Sequence, residues 1–201
     1  MRANGVQVYG YVPIGVSTEN RSLATLQTAI DQWDTLNVDG IFLDEFGFDY
    51  QVTRSRQIDV VNYVHGKGLS YCANAWVFED FVCTNISEVP WPSNDWRYIN
   101  FQTYNPGNLP LPRTASDPYL IENFLFEGSG TGIVDKWDGN ERYDLIRARN
   151  AALSVKAPIW ACCVFIESPA NSGNINQTKI GSLTLASLSE HSAQVSMLCL
   201  R

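Results

Sequence analysis

The chain has 201 residues, of which 45% are hydrophobic, 12% aromatic and only 17% charged. That is enough apolar material for one sizeable core, and too many aromatics and too few charges for a disordered chain. Its 14 basic and 21 acidic residues leave a net charge of −7, which argues against nucleic acid as a partner, and no stretch approaches the roughly 20 apolar residues that cross a bilayer. The alternating run Val6–Val12 predicts a first strand that starts almost without lead-in. No charged segment followed by an apolar one precedes it, so no signal peptide is read; with that start and the abrupt end at Val195–Arg201, a fragment or a degenerate gene is expected. Secretion or surface display is then expected only where the full-length gene supplies a signal peptide. Leu23, Leu26, Ile30 and Trp33 stripe one face of a helix that Ser22 or Thr18 can cap. Ile41–Leu43 reads as a buried strand ending in Asp44 and Glu45. Ile58, Val61 and Val64 mark a second helix, stopped by Gly66 and Gly68, and Leu69–Ala73 a third strand that runs into Asn74.

This strand–helix alternation is the mark of an α/β domain with a parallel sheet. From Val77 to Ser116 the rhythm is lost among Pro90, Pro92, Pro106, Pro110 and Pro112. Within this long connection, of a kind that is more often functional than idle, Arg97–Tyr104 reads as a strand or hairpin. A strand over Tyr119–Glu122 follows, with Phe124 onward already in a loop, then a Gly-rich loop through Gly128, Gly130 and Gly132. A helix from about Asn140 to Ser154, a strand Ile159–Phe165 and a weak helix near Leu183–Ser189 complete the reading. No repeat or linker divides the chain, so residues 1–201 are expected to form a single domain.

The chemistry on offer is narrow. Only His65 and His191 are present, and the five cysteines show no Cys-x-x-Cys spacing, so neither a metal site nor a triad is well supplied. The spacing of Gly128, Gly130 and Gly132 does not match a dinucleotide loop. No cofactor is expected. Asp44 and Glu45 stand where a buried parallel strand runs out, the edge at which α/β architectures place their ligands; acidic residues after a strand can also simply solvate a loop. Glu122, flanked by apolar residues, is a second candidate, and Glu127 is its rival. In one continuous strand those two would face opposite ways, and a short strand favours Glu122. Two carboxylates on strand ends, without an activated Ser or Cys, suit cleavage of a glycosidic bond. Trp76, Trp91, Trp96 and Trp137 fall in loops or at strand ends, where indoles can stack on sugar rings or pack under loops.

Gly10-Tyr11-Val12, Arg21 ahead of a helix, Trp33 and Val38-Asp39-Gly40-Ile41-Phe42-Leu43-Asp44-Glu45 together resemble the spherulation-specific family and the related endo-α-1,4-polygalactosaminidases of glycoside hydrolase family 114. Asn74 after its strand and Glu122 after Tyr119-Leu120-Ile121 fit later stations of that pattern. The resemblance runs from Gly10 to about Trp76, is looser to Asn150 and faint beyond. It implies a (β/α)₈ TIM-barrel-like fold, incomplete here because the family's first strands have no counterpart before Gly5. It also implies a retaining hydrolase of galactosamine-containing polysaccharide. Asp44 would be nucleophile or stabiliser and Glu122 or Glu127 the acid/base, with Tyr9, Tyr11, Arg21, Glu45, Asn74 and Trp76 around the sugar. The alternative is a non-catalytic carbohydrate-binding or host-recognition module, on a virion or cell surface, that keeps the fold. The exact sugar, the compartment and the oligomeric state are not written in the residues.

Overall fold

The computed structural model describes residues 7–121, 126–129, 132–135, 141–155, 157–161 and 164–165. Its strands are β1 (Tyr9–Pro13), β2 (Gly40–Asp44), β3 (Ser70–Ala73), β4 (Tyr119–Ile121), β5 (Phe126–Ser129), β6 (Gly132–Asp135), β7 (Ile159–Ala161) and β8 (Val164–Phe165). Its helices are α1 (Leu23–Thr35), α2 (Arg54–Gly66), α3 (Glu79–Val82), α4 (Trp96–Tyr104) and α5 (Glu141–Ala152).

Five strands form one sheet in the order β1-β2-β3-β4-β7, and every pairing in it is parallel. Helices α1 and α2 form where the apolar stripes lie. The Ser22 hydroxyl caps α1 by accepting from the Thr25 amide, and Thr53 does the same for α2 through the Arg56 amide. Gly68, at φ +75°, ends the second helix in the left-handed region that glycine enters without strain.

Register sorts the strand residues onto two faces. Val12, Ile41, Leu43, Tyr71, Ala73, Tyr119 and Ile121 join Leu26, Ile30, Val60, Val61 and Val64 of the helices in one buried core. Gly10 belongs to this side because a Cβ there would lie 2.3 Å from the Trp33 ring, which closes over the strand while its indole N–H donates to the Tyr11 carbonyl (3.0 Å). The opposite parity carries Tyr9, Tyr11, Phe42, Asp44, Ser70, Cys72, Leu120 and Trp160.

The sheet is strongly curled. Tyr9 on the edge strand β1 and Trp160 on the opposite edge strand β7 meet edge to face, with ring centroids 5.1 Å apart. In a flat sheet of five strands those edges would stand roughly 19 Å apart. The face that carries Asp44 is therefore concave.

Several expectations are corrected. The sheet is not a closed barrel: β1 and β7 share no hydrogen-bonded pairing among the described residues, and β6-β5-β8 forms a separate three-stranded sheet. The run Ile159–Phe165 is split, its first part in the main sheet and Val164–Phe165 pairing with β5. Phe126 onward is a strand instead of a loop. Gly128 lies in β5 and Gly132 in β6, which pair antiparallel from Phe126↔Asp135 to Ser129↔Gly132. Residues 96–104 are helical, because Asp95 caps the segment at the Arg97 amide and a helix sets Phe101 and Tyr104 together against Phe48. The aromatic richness that suggested a strand reflects this packing. The weak helix near Leu183–Ser189 lies outside the described residues.

Candidate active site

Strand β2 ends at Asp44, and the backbone turns sharply just beyond it: Glu45 has φ +55°, a conformation few non-glycine residues adopt. The turn brings the Glu45 amide back onto Asp44 Oδ1 (2.9 Å). The same oxygen accepts from Asn74 Nδ2 (2.8 Å), and Oδ2 accepts from the Tyr11 hydroxyl (2.6 Å). Three donors, one from the middle of β1 and two from just past the ends of β2 and β3, thus converge on one half-buried carboxylate. The backbone sets this up. Asn74 donates its amide to the Leu43 carbonyl (3.0 Å), Phe46 donates to the Asn74 carbonyl (2.9 Å), and Ile14 donates to the Asp44 carbonyl (3.0 Å). Such an arrangement fixes the carboxylate's direction at the carboxyl edge of the sheet, as a nucleophile or a charge-stabilising group requires.

The neighbouring carboxylate diverges. Glu45 Oε2 accepts from Thr18 Oγ1 (2.5 Å) in the β1–α1 loop, packed beside Gly15. Tyr9 lies at the amino end of the sheet, where its hydroxyl meets Ser70 Oγ (2.8 Å); burial lifts this phenol to about 12 although the serine bond opposes the shift. Arg21 pairs with Glu19 (2.5 Å). The guanidinium that organises this loop is instead Arg56, on α2, which donates to the carbonyls of Ile14 (2.9 Å) and Arg21 (2.6 Å). Sequence reasoning missed it because nothing in a helical stripe shows which loop its polar side reaches. Trp76, two residues beyond Asn74, lines a separate cavity of about 620 Å³ together with Trp91 and Trp96.

Of the two candidate acids, Glu122 lies outside the described residues, immediately after the last residue of β4. Glu127 sits in β5, paired with Val134 and Val164, in the other sheet from Asp44. Trp137 is also outside the described residues. Among the described residues no cluster of three or more His, Cys, Asp or Glu side chains could hold a metal ion. No helix among them is long and apolar enough to cross a membrane.

A second charged cluster escaped the sequence reading. Arg54 is 1% exposed and donates to Gln57 Oε1 (2.7 Å), the Asp80 carbonyl (2.8 Å) and the Cys83 carbonyl (2.9 Å), with its guanidinium 5.2 Å from the Phe48 ring centre. Burial pushes this guanidinium down to about 10. The Asp80 carboxylate accepts from the Phe48 amide (2.9 Å). This cluster ties the segments after β2 and β3 to the start of α2, and Gln57 in it donates to the Phe46 carbonyl (2.7 Å), two residues beyond Asp44.

No family model matches the chain, and no curated protein matches it. Among solved structures it is similar to the glycoside hydrolase domain of PelA from Pseudomonas aeruginosa, at 12% identity and a TM-score of 0.49. That alignment covers 96% of this chain and 78% of the other.

Proposed function

We propose that this chain is a glycoside hydrolase acting on galactosamine-containing or related polysaccharide. The observation that carries the reading is the Asp44 carboxylate, held by Tyr11, Asn74 and the Glu45 amide at the carboxyl edge of a curled parallel sheet. In a retaining reaction Asp44 attacks the anomeric carbon or stabilises its positive charge. A second carboxyl, Glu122 or Glu127, gives a proton to the leaving oxygen and then takes one from the attacking water. Tyr11 and Asn74 keep Asp44 aimed; Glu45, bonded to Thr18, is assigned to shaping the loop beside the sugar and Trp76 to contacting sugar units further along, while Arg21 and Tyr9, turned to Glu19 and Ser70, are assigned no contact with it.

The test is incubation with a partly de-N-acetylated galactosamine polymer, following new reducing ends. Turnover by the native chain, reduced by at least about 10²–10³-fold in Asp44→Asn, is expected. No new reducing ends from the native chain, or an Asp44→Asn variant as active as its parent, would remove the hydrolase. Binding of the polymer without cleavage would turn the assignment to a carbohydrate-recognition module.

A further inference from the structure

The cavity of about 620 Å³ beside α4 falls within the roughly 300–1,000 Å³ of ligand pockets, yet Asp44 does not line it. Its walls carry Trp76, Trp91 and Trp96, brought together from the loop after β3, the proline-rich connection and the first turn of α4. Trp76 remains 44% exposed and Trp96 47%. Indoles carry a large apolar area and usually bury most of it, so two of them with this much exposed area give the groove an accessible aromatic surface.

Charge narrows the occupant. Arg97 is held by Asp95 through a two-point pair (2.9 and 2.7 Å) and lies over Trp91, 4.2 Å from the ring centre. Arg149, reaching in from α5, is 3.2 Å from Glu79, which is itself 5% exposed. Each arginine lining the groove among the described residues already has its carboxylate. A phosphate or an acidic glycan would therefore find no uncompensated positive charge among those residues, and a nucleic acid would meet a chain of net charge −7. Flat indoles rimmed by paired polar groups instead suit the C–H face of a hexose or hexosamine ring with its hydroxyls at the edge.

The groove also lies a short way along the chain from the site already described. Asn74, which donates to Asp44, is two residues from Trp76, so one short strap joins the carboxylate to the indoles. We infer that the groove walled by Trp76, Trp91 and Trp96 is a remote subsite that holds neutral or amino-sugar units of the same glycan chain whose cleavage is assigned to Asp44. This inference rests on that assignment for the identity of the glycan, and it makes affinity depend on glycan length, because only a longer oligomer reaches both places.

Isothermal titration with galactosamine oligomers of graded length tests it, using the native chain, Asp44→Asn, Trp96→Ala, Trp96→Phe and the exposed control Leu36→Ala. Affinity should rise with length in the native chain, Asp44→Asn and Leu36→Ala. Trp96→Ala should bind the longer oligomers about tenfold more weakly. Trp96→Phe, which keeps a ring and a packed fold, should lie between. Length-dependent binding lost in Trp96→Ala, with no new reducing ends from the native chain, would uphold the groove while removing the hydrolase. Equal affinity in the native chain and both Trp96 variants would overturn the groove while leaving the hydrolase standing. Tighter binding of polygalacturonate than of galactosamine oligomers would overturn it, as would self-association abolished in Trp96→Ala without sugar binding.

Discussion

Along β2, Ile41 and Leu43 have no exposed surface and join the helix-side core, whereas Phe42 and Asp44, one position on from each, stay half-buried on the concave face. The same contrast holds on β1, between Val12 and Tyr11, and on β3, where Tyr71 and Ala73 join that core and Asn74 does not. Across β1, β2 and the end of β3, one parity supplies apolar contact area, and the other includes a hydroxyl, an amide and a carboxylate that hold one another in place. A strand buried on both sides would read as an unbroken apolar run. Here the carboxyl ends depart from that, because the curl leaves the concave face open enough for polar groups to remain.

A buried charge lies outside this contrast, and removing it should have the largest effect. Arg54 is a charged residue fully enclosed among Phe48, Gln57 and the carbonyls after β3. Arg54→Met keeps the volume but strands two buried carbonyls and the Gln57 side chain. A loss of about 3–5 kcal/mol is expected in urea unfolding, the range for breaking a buried ionic cluster at one partner. A neutral result would mean that the cluster is as replaceable as ordinary core.

The two parities can be set against each other directly. Leu43→Ala should cost about 2–5 kcal/mol, as cavities in packed cores do. Tyr11→Phe, on the other face, should cost only about 1 kcal/mol for its lost hydrogen bond but should lower turnover by releasing Asp44 Oδ2. Equal stability losses for the two would break the division of the sheet into a stabilising and a chemical face.

A smaller effect concerns pH. Asp80 titrates well above the ordinary carboxylate range, chiefly through burial; repulsion from Asp49 and Glu79 adds to the shift, while the Phe48 amide and Arg54 oppose it. A raised carboxyl pKa contributes stability that is fully present below the unfolded value of about 3.9 and is lost as pH rises through the folded value. Asp80→Asn stays neutral and escapes that loss. Its stability relative to the native chain should therefore improve steadily as the pH is raised from about 4 through neutral. Urea unfolding curves at stepped pH would read this, and two parallel profiles would show that Asp80 does not titrate in the window.

Most of the first 121 residues were legible because their signals are local. The stripe through Leu26 and Ile30, the Ser22 cap, the glycine stop after α2 and the apolar run into Asp44 each involve neighbours within one turn or one strand. The Asp44 surroundings were partly legible: Asn74 follows the neighbouring strand end, Tyr11 shares the parity of Asp44 on β1, and parallel pairing brings the three together. Arg21 and Tyr9 were grouped with them, but the first turned to Glu19 and the second to Ser70. Arg54, Asp80 and Glu79 were invisible, since a charge in the sequence carries no sign of burial until the segments that enclose it are placed.

By itself the sequence determined what depends on period and proximity along the chain: parallel strands alternating with helices, which strand residues share a face, and a carboxylate at a strand end. The tertiary structure alone decided the curl that brings Tyr9 to Trp160 and the division of the strands into two sheets. It also decided the helix at Trp96–Tyr104, which exists because Phe48, seated after β2, offers its aromatic residues a surface. The three indoles and the arginine of α5 likewise meet only through the paths their loops take. Those contacts join segments tens of residues apart, and their free energy appears only once the intervening chain has closed, so no local pattern can encode them.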